Sequence, residues 1–154
     1  MRLNIMSKMR GVDEFAKLWR RRTTIELPDG TKCDLLSLPD LVPAKKTQRD
    51  KDWPMIRRLV EAHYFQHNAK PRTAQIKFWL LELRTPQLLL EVAQAHASLA
   101  RRLAAKRLVL QLATASKLVQ LENALADEEN RSRAEDKSYW LPLLKELESL
   151  QRPK

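Results

Sequence analysis

The residues best suited to chemistry lie in one segment, Lys45-Lys46-Thr47-Gln48-Arg49-Asp50-Lys51-Asp52-Trp53, which follows the apolar run Leu35 to Val42. Asp50 and Asp52 have the spacing of paired carboxylates that hold Mg²⁺ from one edge of a strand. Here they lie among Arg49, Lys51 and Trp53 at an expected helix start, where acids act as caps and complement the helix dipole. Capping with local salt bridges is the preferred reading, and metal ligation is the alternative. Lys45, Lys46, Arg49 and Lys51, with Arg57 and Arg58 one or two turns on, suit a phosphate-binding surface, since ammonium and guanidinium groups donate to phosphate oxygens. A solvated basic rim explains the same residues equally well.

Other chemistries find no support in the spacing. His63, His67 and His96 have no metal-ligand spacing with each other or with Cys33, and His63 falls on the apolar stripe of its helix, as a packed imidazole would. The sequence carries no nucleophile motif, no phosphate-cradling glycine loop and no dinucleotide fingerprint. The four tryptophans sit on apolar stripes or at helix starts, which predicts core packing.

The elements that must position these groups can be read in order. Leu3 to Met6 reads as a short strand beginning almost at the first residue. A helix follows, with Asp13 as its cap, Phe15, Leu18 and Trp19 on one face, and Arg20, Arg21 and Arg22 at its end. Thr23 to Leu27 and Lys32 to Leu36 flank Pro28-Asp29-Gly30 and predict a β-hairpin. Ser37 to Lys46 predicts a short helix strained by Pro43, and Asp50 or Asp52 caps the next one, striped by Ile56, Leu59, Val60, His63 and Tyr64. From Pro71 every signal is helical. Ile76, Trp79, Leu80 and Leu83 form a stripe, Thr85-Pro86 opens a helix, breaks fall near Ser98 and 114–116, and a last helix after Pro142 carries Leu143, Leu144, Leu147 and Leu150. That stripe suits dimerisation through the helical tail.

The chain of 154 residues carries a net charge of +10, which attracts nucleic acid and other anions. The excess is uneven: residues 1–75 hold 16 basic against 9 acidic groups, and residues 76–154 hold 13 against 10. Two glycines are few for a turn-rich β fold. A single cysteine excludes an intrachain disulfide framework, no apolar run spans a membrane and no signal-peptide core opens the chain, so the expected location is the cytoplasm.

The run from Thr23 to Tyr64, above all Leu36-Ser37-Leu38-Pro39-Asp40-Leu41-Val42-Pro43-Ala44-Lys45 with Arg49-Asp50-Lys51-Asp52, resembles the later half of small bacterial nucleotidyltransferase-superfamily proteins, which include abortive-infection toxin relatives. In these a strand leads into a helix of pattern Leu-x-Asp-Leu-x-x-x-Lys, and an Arg-Asp or Arg-x-Lys-Asp pattern opens the next helix. The resemblance implies that Lys45 lies near nucleotide phosphates and that Asp52 fixes the following helix or a basic neighbour. It also implies Mg²⁺ and a nucleoside triphosphate as cofactors of a complete enzyme. The family's Gly-Ser turn and Asp-x-Asp strand are missing, and Asn4 stands where a third acid would fall, a poor substitute for a hard divalent ion.

The expected architecture is therefore α+β and predominantly α. A partial nucleotidyltransferase-like region over residues 1–66, with a remnant sheet of one N-terminal strand and a hairpin, precedes a helical region over 67–154. The expected function is a nucleotidyltransferase-like protein, catalytically incomplete alone, whose metal-bearing half lies upstream or in a split partner. The alternative is a non-enzymatic basic module for nucleic acid or a partner protein.

Overall fold

Pro28-Asp29-Gly30 reverses the chain because Gly30 takes φ +82°, a left-handed conformation that only glycine adopts without strain. The Asp29 carboxylate accepts the Thr31 N–H at 2.9 Å and closes the turn. In the computed structural model, which describes residues 9–151, this turn joins strands β1 (Thr23–Glu26) and β2 (Lys32–Leu35), paired antiparallel with Ile25 opposite Cys33 and Thr24 opposite Asp34. The strand expected at 3–6, and Asn4 with it, lies outside the described residues. Helix makes up 68% of the structure, so the fold is α+β and predominantly α.

The chain divides into two compact units, Met1–Lys46 and Thr47–Lys154. In the first, helix α1 (Phe15–Arg20) precedes the hairpin and helix α2 (Leu38–Lys45) follows it. Arg21, just past α1, grips Asp40 of α2 with two donors, Nε to Oδ2 at 3.1 Å and Nη2 to Oδ1 at 2.7 Å. Ser37 adds its hydroxyl at 2.6 Å. Two expectations change here. Asp13 does not cap α1, whose N-cap is Glu14; its carboxylate pairs with Arg21 and Lys17 instead. Nor is Trp19 a core residue: only Leu18 of α1 is buried, and Trp19 stacks on exposed Phe15 with the Arg22 guanidinium 4.2 Å over its ring. A six-residue helix has one inward position to offer, and Leu18 fills it.

The second unit is a helical bundle of α3 (Asp52–His67), α4 (Thr73–Glu82), α5 (Pro86–Ala95), α6 (Ala97–Leu103), α7 (Val109–Thr114) and α8 (Leu118–Gln151). Its core is drawn from stripes at helical spacing: Trp53, Ile56, Val60 and Tyr64 of α3, Ile76, Trp79 and Leu80 of α4 with Leu83 beyond, Leu89 of α5, Leu110 of α7, and Leu121 and Leu125 of α8. Each large side chain so buried contributes roughly 1.5–3 kcal/mol. Pro86 occupies the first position of α5, where its missing N–H costs nothing, and the break at 114–116 is made by Ser116 at φ 57°. The break expected near Ser98 falls at His96, which ends α5 and precedes α6, and a further, unexpected break separates α6 from α7.

The separate last helix expected after Pro142 does not form. α8 runs through Pro142, since one proline removes a single hydrogen bond and the long good helix-forming stretches on either side outweigh it. Neither Asp50 nor Asp52 caps α3: Lys51 is the N-cap and Asp52 the first helical residue, with no side-chain cap bond. Asp52 still lies where a negative charge complements the helix dipole.

Candidate phosphate-binding surface

Thr47 organises the approach to α3. Its hydroxyl donates to Asp52 Oδ2 at 2.6 Å and accepts the Arg49 N–H at 3.2 Å, while its carbonyl accepts the Trp53 indole N–H at 2.8 Å. α8 holds the same loop from the side. The Gln48 N–H donates to Asp136 Oδ2 at 3.0 Å, Arg133 donates to the Gln48 carbonyl at 3.5 Å, and Arg133 also pairs with the Asp50 carboxylate. Of the two acids in the Arg49-Asp50-Lys51-Asp52 run, buried Asp52 is held by Thr47, and Asp50, its side chain exposed, pairs with Arg133 at the surface.

Beneath the loop the Trp53 ring has the Arg84 guanidinium 4.7 Å from its centroid and that of Arg133 at 5.6 Å. Arg84 is buried; it donates to the Leu125 carbonyl at 3.0 Å and lies 3.7 Å from Glu128. Burial pushes its pKa down, and the neighbouring Arg107 charge adds to that, although Glu128 opposes it. Arg107 donates to Glu128 through Nε and Nη2, at 3.0 and 2.9 Å, and to the Leu80 carbonyl at 3.0 Å. Arg133 has its pKa raised, first by its hydrogen bond to Glu129 and then by Asp50. This network is a fixed support for the loop.

The cations expected to bind phosphate are distributed as follows. Lys45 is the last residue of α2 and half-buried, and Lys46 is the C-cap of α2, its carbonyl accepting Arg10 Nη1 at 3.4 Å. Both belong to the first unit. Arg49 and Lys51 belong to the second and stand exposed at the head of α3, followed by exposed Arg57 and Arg58. Among the described residues these four side chains have no carboxylate partner, in contrast with Arg21, Arg22, Arg84, Arg107 and Arg133.

His63 of α3 is a packed group. Trp79 Nε1 donates to His63 Nδ1 at 2.9 Å, which puts the proton of the neutral ring on Nε2, and the rings of Phe78 and His67 lie 5.4 and 4.6 Å away. Burial lowers the His63 pKa, and the nearby His67 lowers it further. Among the described residues no group of three or more His, Cys, Asp or Glu side chains is placed to hold a metal ion. No described helix is long and apolar enough to cross a membrane.

Reading the sequence missed the support network. Arg84 follows Leu80 by four residues and so falls on an apolar stripe, and Asp136 precedes Trp140 by four; a charge on such a stripe was the available signal. Comparison with protein-family models, curated proteins and solved structures finds no match to this chain.

Proposed function

We propose that the chain is the phosphate-binding, non-catalytic part of a nucleotidyltransferase-like protein. One observation carries this: at the head of α3 the acids are engaged by Arg133 and Thr47 while Arg49, Lys51, Arg57 and Arg58 face solvent. That leaves a local positive field beside a helix N-terminus, the electrostatics that attract phosphate oxygens. Asp50 and Asp52 are poor candidates for holding a catalytic ion, because coordination would compete with the Arg133 pair at Asp50 and would leave the Thr47 hydroxyl without its Asp52 acceptor. Mg²⁺-dependent transfer then needs carboxylates supplied by another polypeptide or segment; the family resemblance separately implies a phosphate contact at Lys45, in the other unit.

The test is incubation of the purified chain with Mg²⁺ and a labelled nucleoside triphosphate. Binding that weakens with salt, without transfer of label, is the expected result. Mg²⁺-dependent transfer abolished by Lys45→Ala would overturn the non-catalytic assignment. Failure to bind triphosphate at low salt would overturn the phosphate-binding one.

A further inference from the structure

The solvent face of α3 continues beyond its charged start. Lys51, Pro54, Arg58, Ala62, Phe65 and Ala69 recur at helical spacing along one line, and all six are exposed. Arg57 and Arg49 flank its beginning. Two acids lie beside this line: Asp50 is paired with Arg133, and Glu61 keeps its charge while accepting the Thr85 hydroxyl, so the cations of the track outnumber the acids beside it. Phe65 is 63% exposed, on the opposite side of the helix from the buried Trp53, Ile56 and Val60. Its ring lies 5.4 Å from that of Tyr64 in an edge-to-face arrangement, and the Tyr64 hydroxyl is held by Glu91 at 2.9 Å. Lys51 and Phe65 stand 14 positions apart, about 21 Å at the helical rise.

We propose that this face of α3 is a binding track for single-stranded nucleic acid, in which Arg49, Lys51, Arg57 and Arg58 contact successive phosphates and Phe65 stacks on a base. The proposal rests on the phosphate-binding reading above and specifies a polynucleotide as its ligand. Charge and shape both favour this ligand. A row of unpaired cations matches a backbone of regularly spaced anions. An exposed aromatic about 10 Å beyond Arg58 along the axis offers the flat apolar surface that an unpaired base seeks. The small side chains Pro54 and Ala62 leave the line open to a close-lying chain. A duplex would satisfy the cations but keep its bases stacked internally and leave Phe65 unused. A membrane surface would need a broad apolar face, and here a single large apolar side chain stands on the line.

The experiment is fluorescence anisotropy with the full chain and labelled single-stranded RNA and DNA of about 12 nucleotides, within the site sizes of such tracks. A matched duplex, a nucleoside triphosphate and phosphatidylserine vesicles serve as the other arms. The expected result is tighter binding to the single strands than to duplex or triphosphate. Arg58→Ala should weaken it and reduce the salt slope by about 0.7. Phe65→Ala should weaken it about tenfold with the slope unchanged. Both residues are exposed, and thermal melts of the variants confirm that they fold. Triphosphate binding with no gain from the single strand overturns this proposal and leaves the phosphate-binding reading standing. Preference for duplex, preference for vesicles, or indifference to Phe65→Ala also overturns it. Binding to none of the probes overturns both.

Discussion

Asp136 of α8 accepts the backbone N–H of Gln48 at 3.0 Å across 88 residues of sequence, and its other oxygen accepts the Trp140 indole N–H at 3.1 Å. This carboxylate is 3% exposed and fastens the loop that carries Arg49 and Lys51. Replacing it leaves two donors without their acceptor, so Asp136→Ala should lower stability by about 1–3 kcal/mol. Asp136→Asn, which keeps one acceptor oxygen, should lose less. Urea denaturation of the two variants checks the order, and equal losses would show that the carboxylate does not act through these bonds.

Glu128 and Glu129 are adjacent in sequence but differ in what they neutralise. Glu128 faces the guanidiniums of Arg107 and Arg84, both buried, whereas Glu129 pairs with Arg133 one turn along the same helix. Removing Glu128 strands buried positive charge, and Glu128→Ala should cost about 3 kcal/mol. Glu129→Ala should cost about 0.5 kcal/mol, the scale of helix-surface pairs. Thermal unfolding at a fixed pH separates the two, and similar melting temperatures would contradict the asymmetry.

The depressed pKa of His63 makes a signed prediction. Its neutral form is favoured in the folded state, chiefly by burial, so the unfolded chain binds the proton more readily. Its stabilising contribution is present above the ordinary histidine value of 6.5 and is lost as pH falls from there through the folded-state value. Protonation also turns Nδ1 into a donor facing the Trp79 N–H. Stability measured from neutral pH down to about 5 should decline, and His63→Phe should flatten that decline. An unchanged slope in the variant would assign the decline to other groups.

Asp40 acts at lower pH and with the same sign. Its pKa is lowered first by the Arg21 hydrogen bonds, so its contribution holds above the ordinary aspartate value of 3.8 and is lost in acid. Arg21→Lys removes the fork that reaches both Asp40 oxygens and should make the first unit melt at higher pH on acid titration. Near-ultraviolet dichroism of Trp19, the tryptophan of that unit, follows the change, and an unaltered midpoint would count against the fork.

Much of the fold was legible because it depends on local rules. Gly30 marked the hairpin, Thr85-Pro86 opened α5, and the stripe of Ile76, Trp79, Leu80 and Leu83 is buried throughout. What the sequence hid depends on contacts between distant segments. Nothing near Asp50 says that it pairs with Arg133, and no local pattern places Arg84 over Trp53. Trp19 misled because tryptophan content predicts burial only where a helix has a surface to meet, and α1 buries Leu18 alone. Pro142 misled because a proline breaks a helix only when nothing on both sides sustains it. The cations were legible in composition, but that Arg49 and Lys51 have no carboxylate partner among the described residues became visible only once the partners of Asp50 and Asp52 were known.

The proposed phosphate site rests on Arg49 and Lys51 standing exposed while Arg133 and Thr47 engage the acids between and beside them. It is tested most directly by titrating a labelled nucleoside triphosphate into the wild-type chain and the Arg49→Ala/Lys51→Ala double variant, at about 50 and about 200 mM salt. The predicted result is measurable wild-type binding that weakens with salt, and loss of most of that binding in a variant that melts at the wild-type temperature. Equal affinity and equal salt dependence in the two proteins would contradict it.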